Sequence, residues 1–206
     1  MSIPQETKFS LTGYVRDVCH DMTERIPAFS HIDVRRIAFG FSVTRNRTRY
    51  GVWASITPLR FEGGAVETIR RGRRVRLRQS WAPDGTEYLY IFRISFPRMW
   101  NLSFAEKVGT IAHELLHISP EFNGDIRRFR GRCYAHGSNL RNYDAYATAL
   151  GERWISLSPP EELLAPMRLT CKELAMRYGR IVGAKVGRPR VIPILPGDDF
   201  PPESDR

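Results

Sequence analysis

Long apolar runs are missing from this 206-residue chain. A membrane-spanning helix needs ~20 apolar residues in a row, so none is expected. The opening residues, Met1-Ser2-Ile3-Pro4-Gln5-Glu6, offer neither the basic nor the apolar region of a secretory signal, which makes a cytoplasmic location the expectation. Cysteine is scarce. Cys19, Cys133 and Cys171 are odd in number and far apart, which excludes a disulfide framework and a Cys-x-x-Cys zinc ribbon. They read instead as small buried side chains in a reducing compartment. No repeat and no low-complexity tract is visible.

Lysine is nearly absent as well. Only Lys8, Lys107, Lys172 and Lys185 stand among 32 basic residues, and the rest are arginines. The net charge of +10 attracts polyanions and is compatible with a nucleic-acid partner. The densest basic stretch runs from Arg70 to Arg78. On a strand, Arg74, Arg76 and Arg78 would share one face, either as a track for phosphates or as a solvated hairpin surface. Hydrophobic residues at 42% are ordinary for a globular chain that buries its own core.

The pattern along the chain predicts α+β. An amphipathic helix is expected over 6–25, then strands over 37–43 and 50–56 around a turn at Arg45-Asn46-Arg47. Two more strands, 75–80 and 87–96, flank the turn Pro83-Asp84-Gly85. The second is apolar on both faces and should be buried. Ser103-Phe104-Ala105-Glu106 is a capping box that opens a helix closed by Pro120. Further helices are expected over 139–157 and 158–179, the latter kinked at Pro166. One domain over 1–182, with a small antiparallel or mixed sheet against the central helix and a helical C-terminal part, would precede a disordered Pro/Gly-rich tail over 183–206.

The central helix carries His113-Glu114-Leu115-Leu116-His117. Residues four apart lie ~40° apart on a helix, so both imidazoles can face one ion. On a helical wheel both histidines fall outside the apolar arc of Val108, Ile111, Ala112, Leu115 and Leu116, and Glu114 falls beside them. Chance would produce this pattern about 0.0075 times in a chain of this composition. Two neutral imidazoles and one further protein ligand leave a coordination position of a zinc ion open for water, and a neighbouring carboxylate can take the water's proton. Glu114 is the expected general base.

For the third ligand, a metzincin extension fails, because Pro120 and Asn123 stand where Gly and His are required. His136 is favoured as a neutral-imidazole donor in a loop that opens the next helix; Glu152, Cys133 and an aspartate remain alternatives. Asp125 and Asp144 are candidates for orienting a ligand histidine. Tyr134 and Tyr143 are candidate transition-state donors, and Arg127, Arg128, Arg130 and Arg132 could meet a substrate carboxylate or oxyanion.

The motif on the helix, followed by His136-Gly137 and Leu140, resembles the SprT-like (Spartan-type) metallopeptidases. The stretch from His117 to Arg128, with Pro58-Leu59-Arg60-Phe61-Glu62 and Asn101-Leu102-Ser103-Phe104 upstream, resembles a group of phage and bacterial metallopeptidases over about residues 30–150. The resemblance implies a zincin-type active-site helix, zinc held by His113, His117 and His136, and a protein or peptide substrate. The chain departs from the SprT-like pattern in having no cysteine pairs for a zinc ribbon, and Leu140 stands where an aromatic residue is usual. A basic nucleic-acid-associated zinc protein without peptidase activity is the alternative, and a zinc amidase acting on a small molecule a third.

Overall fold

The computed structural model describes residues 8–44, 51–129, 131, 135, 136, 139–195, 197 and 198. In chain order the elements are β1 (Lys8–Ser10), α1 (Leu11–Arg25), β2 (Ile37–Val43), β3 (Ala54–Pro58), β4 (Glu67–Arg70), β5 (Arg73–Leu77), β6 (Tyr90–Phe96), α2 (Phe104–Leu116), α3 (Leu140–Ser156), α4 (Glu161–Arg168), α5 (Cys171–Tyr178), β7 (Arg180–Val182) and β8 (Val191–Pro193). The class is α+β.

The two-sided apolar run becomes β6, the middle strand of a mixed sheet in the order β2-β6-β3. β2 runs parallel to it and β3 antiparallel, with Ile56 opposite Phe92. One face of this sheet joins α1 and α2 in the main core, where Val15, Val18, Phe92, Ile94, Ile111 and Leu115 are buried. Each large aliphatic side chain removed from water there contributes about 1.5–3 kcal/mol.

α2 begins at the capping box read from the sequence. Ser103 Oγ accepts the Glu106 N–H at 3.3 Å, and Glu106 Oε2 accepts the Ser103 N–H at 2.9 Å. The helix ends at Leu116, short of Pro120. The chain turns there because Ile118 and Ile126 form an antiparallel bridge, and Arg127 takes up carbonyls at the helix end. Nor does the wheel's polar sector face water, since Lys107, Thr110, Glu114 and His117 are all buried. Lys107 Nζ reaches across to donate to the carbonyls of Met167 at 3.0 Å and Leu169 at 2.6 Å.

Several expectations are corrected. The first helix starts at Leu11, where Ser10 caps it, and residues 8–10 form β1, paired in parallel with β7. The helix expected over 158–179 is two helices. Pro166 lies inside α4, and the break falls at Leu169-Thr170, where Thr170 and Glu173 build a second capping box. The arginine-rich stretch is a hairpin, β4 with β5, turning through Arg71 and Gly72 at φ of 51° and 75°. Positive φ at both positions is the signature of the two-residue turn that matches strand twist. The turn expected at Arg45-Asn46-Arg47 lies outside the described residues.

The expected disordered tail is also different over residues 183–195. This segment is a strap across the second face of the main sheet. The Ala184 carbonyl accepts from Phe41 N–H at 3.0 Å, and Arg93 Nη2 donates to the Val186 carbonyl at 3.0 Å. Gly40 makes the crossing possible, because a Cβ there would sit 2.9 Å from Val186 Cγ2. The strap ends as β8, paired antiparallel to β5. Proline and glycine content suggested disorder, but backbone hydrogen bonds to β2 and β5 hold the segment, and Val186 packs on the second face of the sheet.

A candidate metal centre at the end of the central helix

Helix α2 delivers three of the four expected groups. His113 and His117 are one turn apart, and their Nε2 atoms face each other at 3.0 Å. His117 is the C-cap residue yet keeps helical angles, φ −69° and ψ −18°, so the spacing is retained past the last full turn. His136 comes from the segment between the α2 exit and α3. Its ring lies 5.5 Å from that of His113 and 4.7 Å from that of His117, centroid to centroid. One ligand atom from each of the three lies within 4.8 Å of the others, close enough to bind a metal ion.

The chemistry of the donor set fits a divalent metal that accepts nitrogen ligands. Two imidazole nitrogens bound tetrahedrally at ~2.0–2.1 Å would stand about 3.3 Å apart, close to the spacing found. Both rings are also held in the neutral form that a metal requires. Burial lowers the pKa of His113 despite the opposing Asp144 carboxylate. For His117, burial and then the neighbouring imidazoles lower it to about 3.

Helix α3 supplies the support from consecutive residues. Asp144 Oδ1 lies 3.0 Å from His113 Nδ1, and the Tyr143 hydroxyl lies 3.1 Å from His117 Nδ1. With Nδ1 engaged in each case, Nε2 is left to point at the centre of the cluster. Tyr143 also packs against all three imidazoles, at centroid distances of 5.0, 5.1 and 5.2 Å. Its hydroxyl thus lies against the Nδ1 side of a candidate ligand ring. Burial pushes its pKa upward, so it stays protonated.

Glu114 lies on the β3 side of the helix. Its Oε2 accepts the outward-facing N–H of Ile56 at 2.7 Å. Burial pushes its pKa up to about 7, with the Ile56 hydrogen bond opposing the shift. A carboxylate with that pKa can both take and return a proton near neutrality. Sequence reasoning missed Ile56, because a backbone N–H carries no residue signature.

The other candidates fall elsewhere. Glu152 is exposed on α3 and lies outside the histidine group. Asp125 does not meet a histidine: its buried carboxylate accepts from Gly63 N–H at 2.9 Å, Ile126 N–H at 2.8 Å and Arg128 Nε at 2.7 Å. Arg128 is thereby held by Asp125, with Glu62 3.6 Å away. Arg127 stays near it, with its N–H on the His117 carbonyl at 2.6 Å and its Nε on the Leu116 carbonyl at 2.9 Å. Its charge adds to the lowering that burial and the other imidazoles produce at His117, and opposes the rise that burial produces at Tyr143. Cys133, Tyr134, Arg130 and Arg132 lie outside the described residues. On the hairpin, which the sequence left open between a phosphate track and a solvated surface, Arg74 is paired with Glu67 at 2.9 Å.

Comparison with protein-family models, with curated proteins and with solved structures finds no match to this chain. Among the described residues no helix is long and apolar enough to cross a membrane. The fold and the site define an α+β protein with a three-histidine cluster suited to a metal ion.

Proposed function

We propose that the chain is a zinc-dependent metallopeptidase of the zincin type, resembling the SprT-like enzymes, with His113, His117 and His136 as ligands and Glu114 as general base. The observation that carries this reading is the convergence of three imidazoles beside one buried carboxylate of raised pKa. Zinc in such a site would supply a Lewis acid that lowers the pKa of water to ~7 and polarises a peptide carbonyl. Glu114 would accept a proton from water and deliver it to the leaving amine. The Ile56 N–H fixes the orientation of that carboxylate. Tyr143 and Asp144 hold the ligand rings in the matching tautomer.

The reading is tested with two variants. Glu114→Gln should retain one equivalent of zinc and lose hydrolysis of an unfolded protein substrate by at least about a hundredfold. His136→Ala should lose zinc. Undiminished hydrolysis by Glu114→Gln refutes the general base, and full zinc content in His136→Ala refutes the ligand set. A second reading, a basic nucleic-acid-associated protein, is favoured by the six arginines between Arg70 and Arg78. It requires salt-sensitive DNA binding together with no turnover by the unmodified chain.

A further inference from the structure

Strand β5 carries arginines on alternate positions, and its register with β4 and β8 decides which charges share a face. Leu77 and Val191, paired across β5 and β8, line a cleft of about 510 Å³ on one side of this three-stranded sheet. Side chains alternate along a strand, so Arg74, Arg76 and Arg78 project from the opposite side. The ladder continues one residue beyond β8, where the Arg78 N–H donates to the Arg190 carbonyl at 2.8 Å. That bond sets Arg190, from the strap, directly across from Arg78 on the same face. Ile69, opposite Arg74, and Ile192, opposite Arg76, complete it.

The charges on this face oppose the pairing that brings them together. Like charges directly opposite one another destabilise a sheet. Arg78 and Arg190 stand in that relation, both exposed, and no carboxylate pairs with either among the described residues. Among the described residues of β4, β5 and β8, Glu67 is the one carboxylate on this side, and it is taken up by Arg74 at 2.9 Å. The strap adds no acid, since over 183–195 its charged residues are Lys185, Arg188 and Arg190. Along β5 the arginines recur every two residues, ~6.8 Å apart. A nucleic-acid strand carries one charge per ~3.4 Å, so such a row can meet alternate phosphates. Ile69, 72% exposed, gives the face an apolar component as well.

We infer that this face binds single-stranded nucleic acid through its phosphates, with the cross-strand pair Arg78 and Arg190 at its centre and Arg74 and Arg76 beside it. The phosphates supply the negative charge that the sheet itself withholds from the pair. A duplex suits the surface less well, because its ~12 Å major groove admits two strands, and this sheet has three. The inference gives a nucleic-acid partner a location. It does not depend on hydrolysis at the histidine cluster, none of whose residues belongs to this sheet.

The test titrates a fluorescent single-stranded DNA of about twelve nucleotides, a length within the range of one binding face, with the full-length protein across a series of salt concentrations. Each phosphate neutralised on a single strand contributes ~0.7 to the slope of log affinity against log salt, so four arginines should give a slope of about −3. Arg78→Gln combined with Arg190→Gln should flatten that slope by about 1.4 and weaken binding about 25-fold at roughly 0.1 M salt. Lysine at both positions should restore the slope. The glutamine pair removes a repulsion and should melt no lower than the parent, which separates weaker binding from unfolding. Arg153→Gln combined with Arg177→Gln, on α3 and α5, removes the same charge from exposed positions outside the sheet and should leave the slope unchanged. Equal losses in the two double variants overturn the proposal, since they reveal only the general positive field. So does the absence of salt-sensitive binding by the parent. Tighter binding of a duplex of the same length overturns the single-strand assignment, and tighter binding of polyglutamate overturns it in favour of an acidic protein. Binding that depends on Arg78 and Arg190 without peptide cleavage by the unmodified chain would refute the peptidase reading and leave this surface standing. Cleavage without such binding would refute only the surface.

Discussion

Glu114 should weaken the metal-free fold that contains it, and Glu114→Gln should relieve the penalty. In the unfolded chain the carboxyl ionises near its usual value of 4.5, whereas in the native chain burial pushes this up to about 7. Above pH 7 the native state must hold a buried charge that the unfolded state keeps in water. Below pH 4.5 the group is protonated in both states and no penalty remains. The native state therefore loses stability from this group as pH rises from about 4.5 to about 7. A shift of that size corresponds to about 3 kcal/mol. Glutamine has the same shape, keeps a carbonyl oxygen for the Ile56 N–H and carries no charge. Metal-free Glu114→Gln should thus exceed the parent in unfolding free energy by about 2–3 kcal/mol at pH 8, and by nearly nothing at pH 4.5. Urea unfolding of both chains across this range measures the difference. The imidazoles titrate in both proteins, so their contribution cancels in the comparison. A difference that stays flat between pH 5 and pH 8, or a less stable variant at pH 8, would refute the reasoning.

The remaining predictions concern the support of the site and the fold. Asp144→Asn should weaken zinc affinity about 10–100-fold, read by chelator competition, because His113 loses its charged acceptor; unchanged affinity would remove Asp144 from the site. Gly124→Ala should destabilise by about 2 kcal/mol or more in denaturant titration, because the residue has φ of 87° and its Cβ would meet Arg60 Cγ. Arg71→Asn should raise the melting temperature by about 2 °C, since asparagine tolerates the positive φ of 51° at this turn better than arginine. A lower melting temperature would show that the Arg71 side chain has another role.

The parts of the fold legible in the sequence were those with local signals long enough to repeat. β2 spans 37–43 as expected, and the capping box gave the start of α2 directly. β1, β7 and β8 are only three residues long, too short for periodicity to register. Their existence depends on partners far away in the chain, as with Lys8 opposite Arg180. The site divides along the same line. His113, Glu114 and His117 are neighbours on one helix, so their spacing announced them. His136 joins them through a turn of chain that spacing could not define. Asp144 was one acidic residue among several until α3 packed against α2 and put its carboxylate at His113. The Ile56 N–H could be recognised only once β3 lay beside the helix.

The strap also bears on the order in which the chain is made. β5 ends at Leu77 and its partner β8 begins at Val191, more than a hundred residues later. During translation the β5 edge that β8 will cover emerges early and stays bare until nearly all of the described residues have been synthesised. A bare edge strand invites pairing with other nascent chains. The arginines that crowd β5 and its turn are what discourages such pairing, since like charges repel a second copy of the same edge. The basic stretch thus acts as a guard on an unfinished sheet, and a chain stopped before β8 would keep its histidine motif while leaving that edge permanently open.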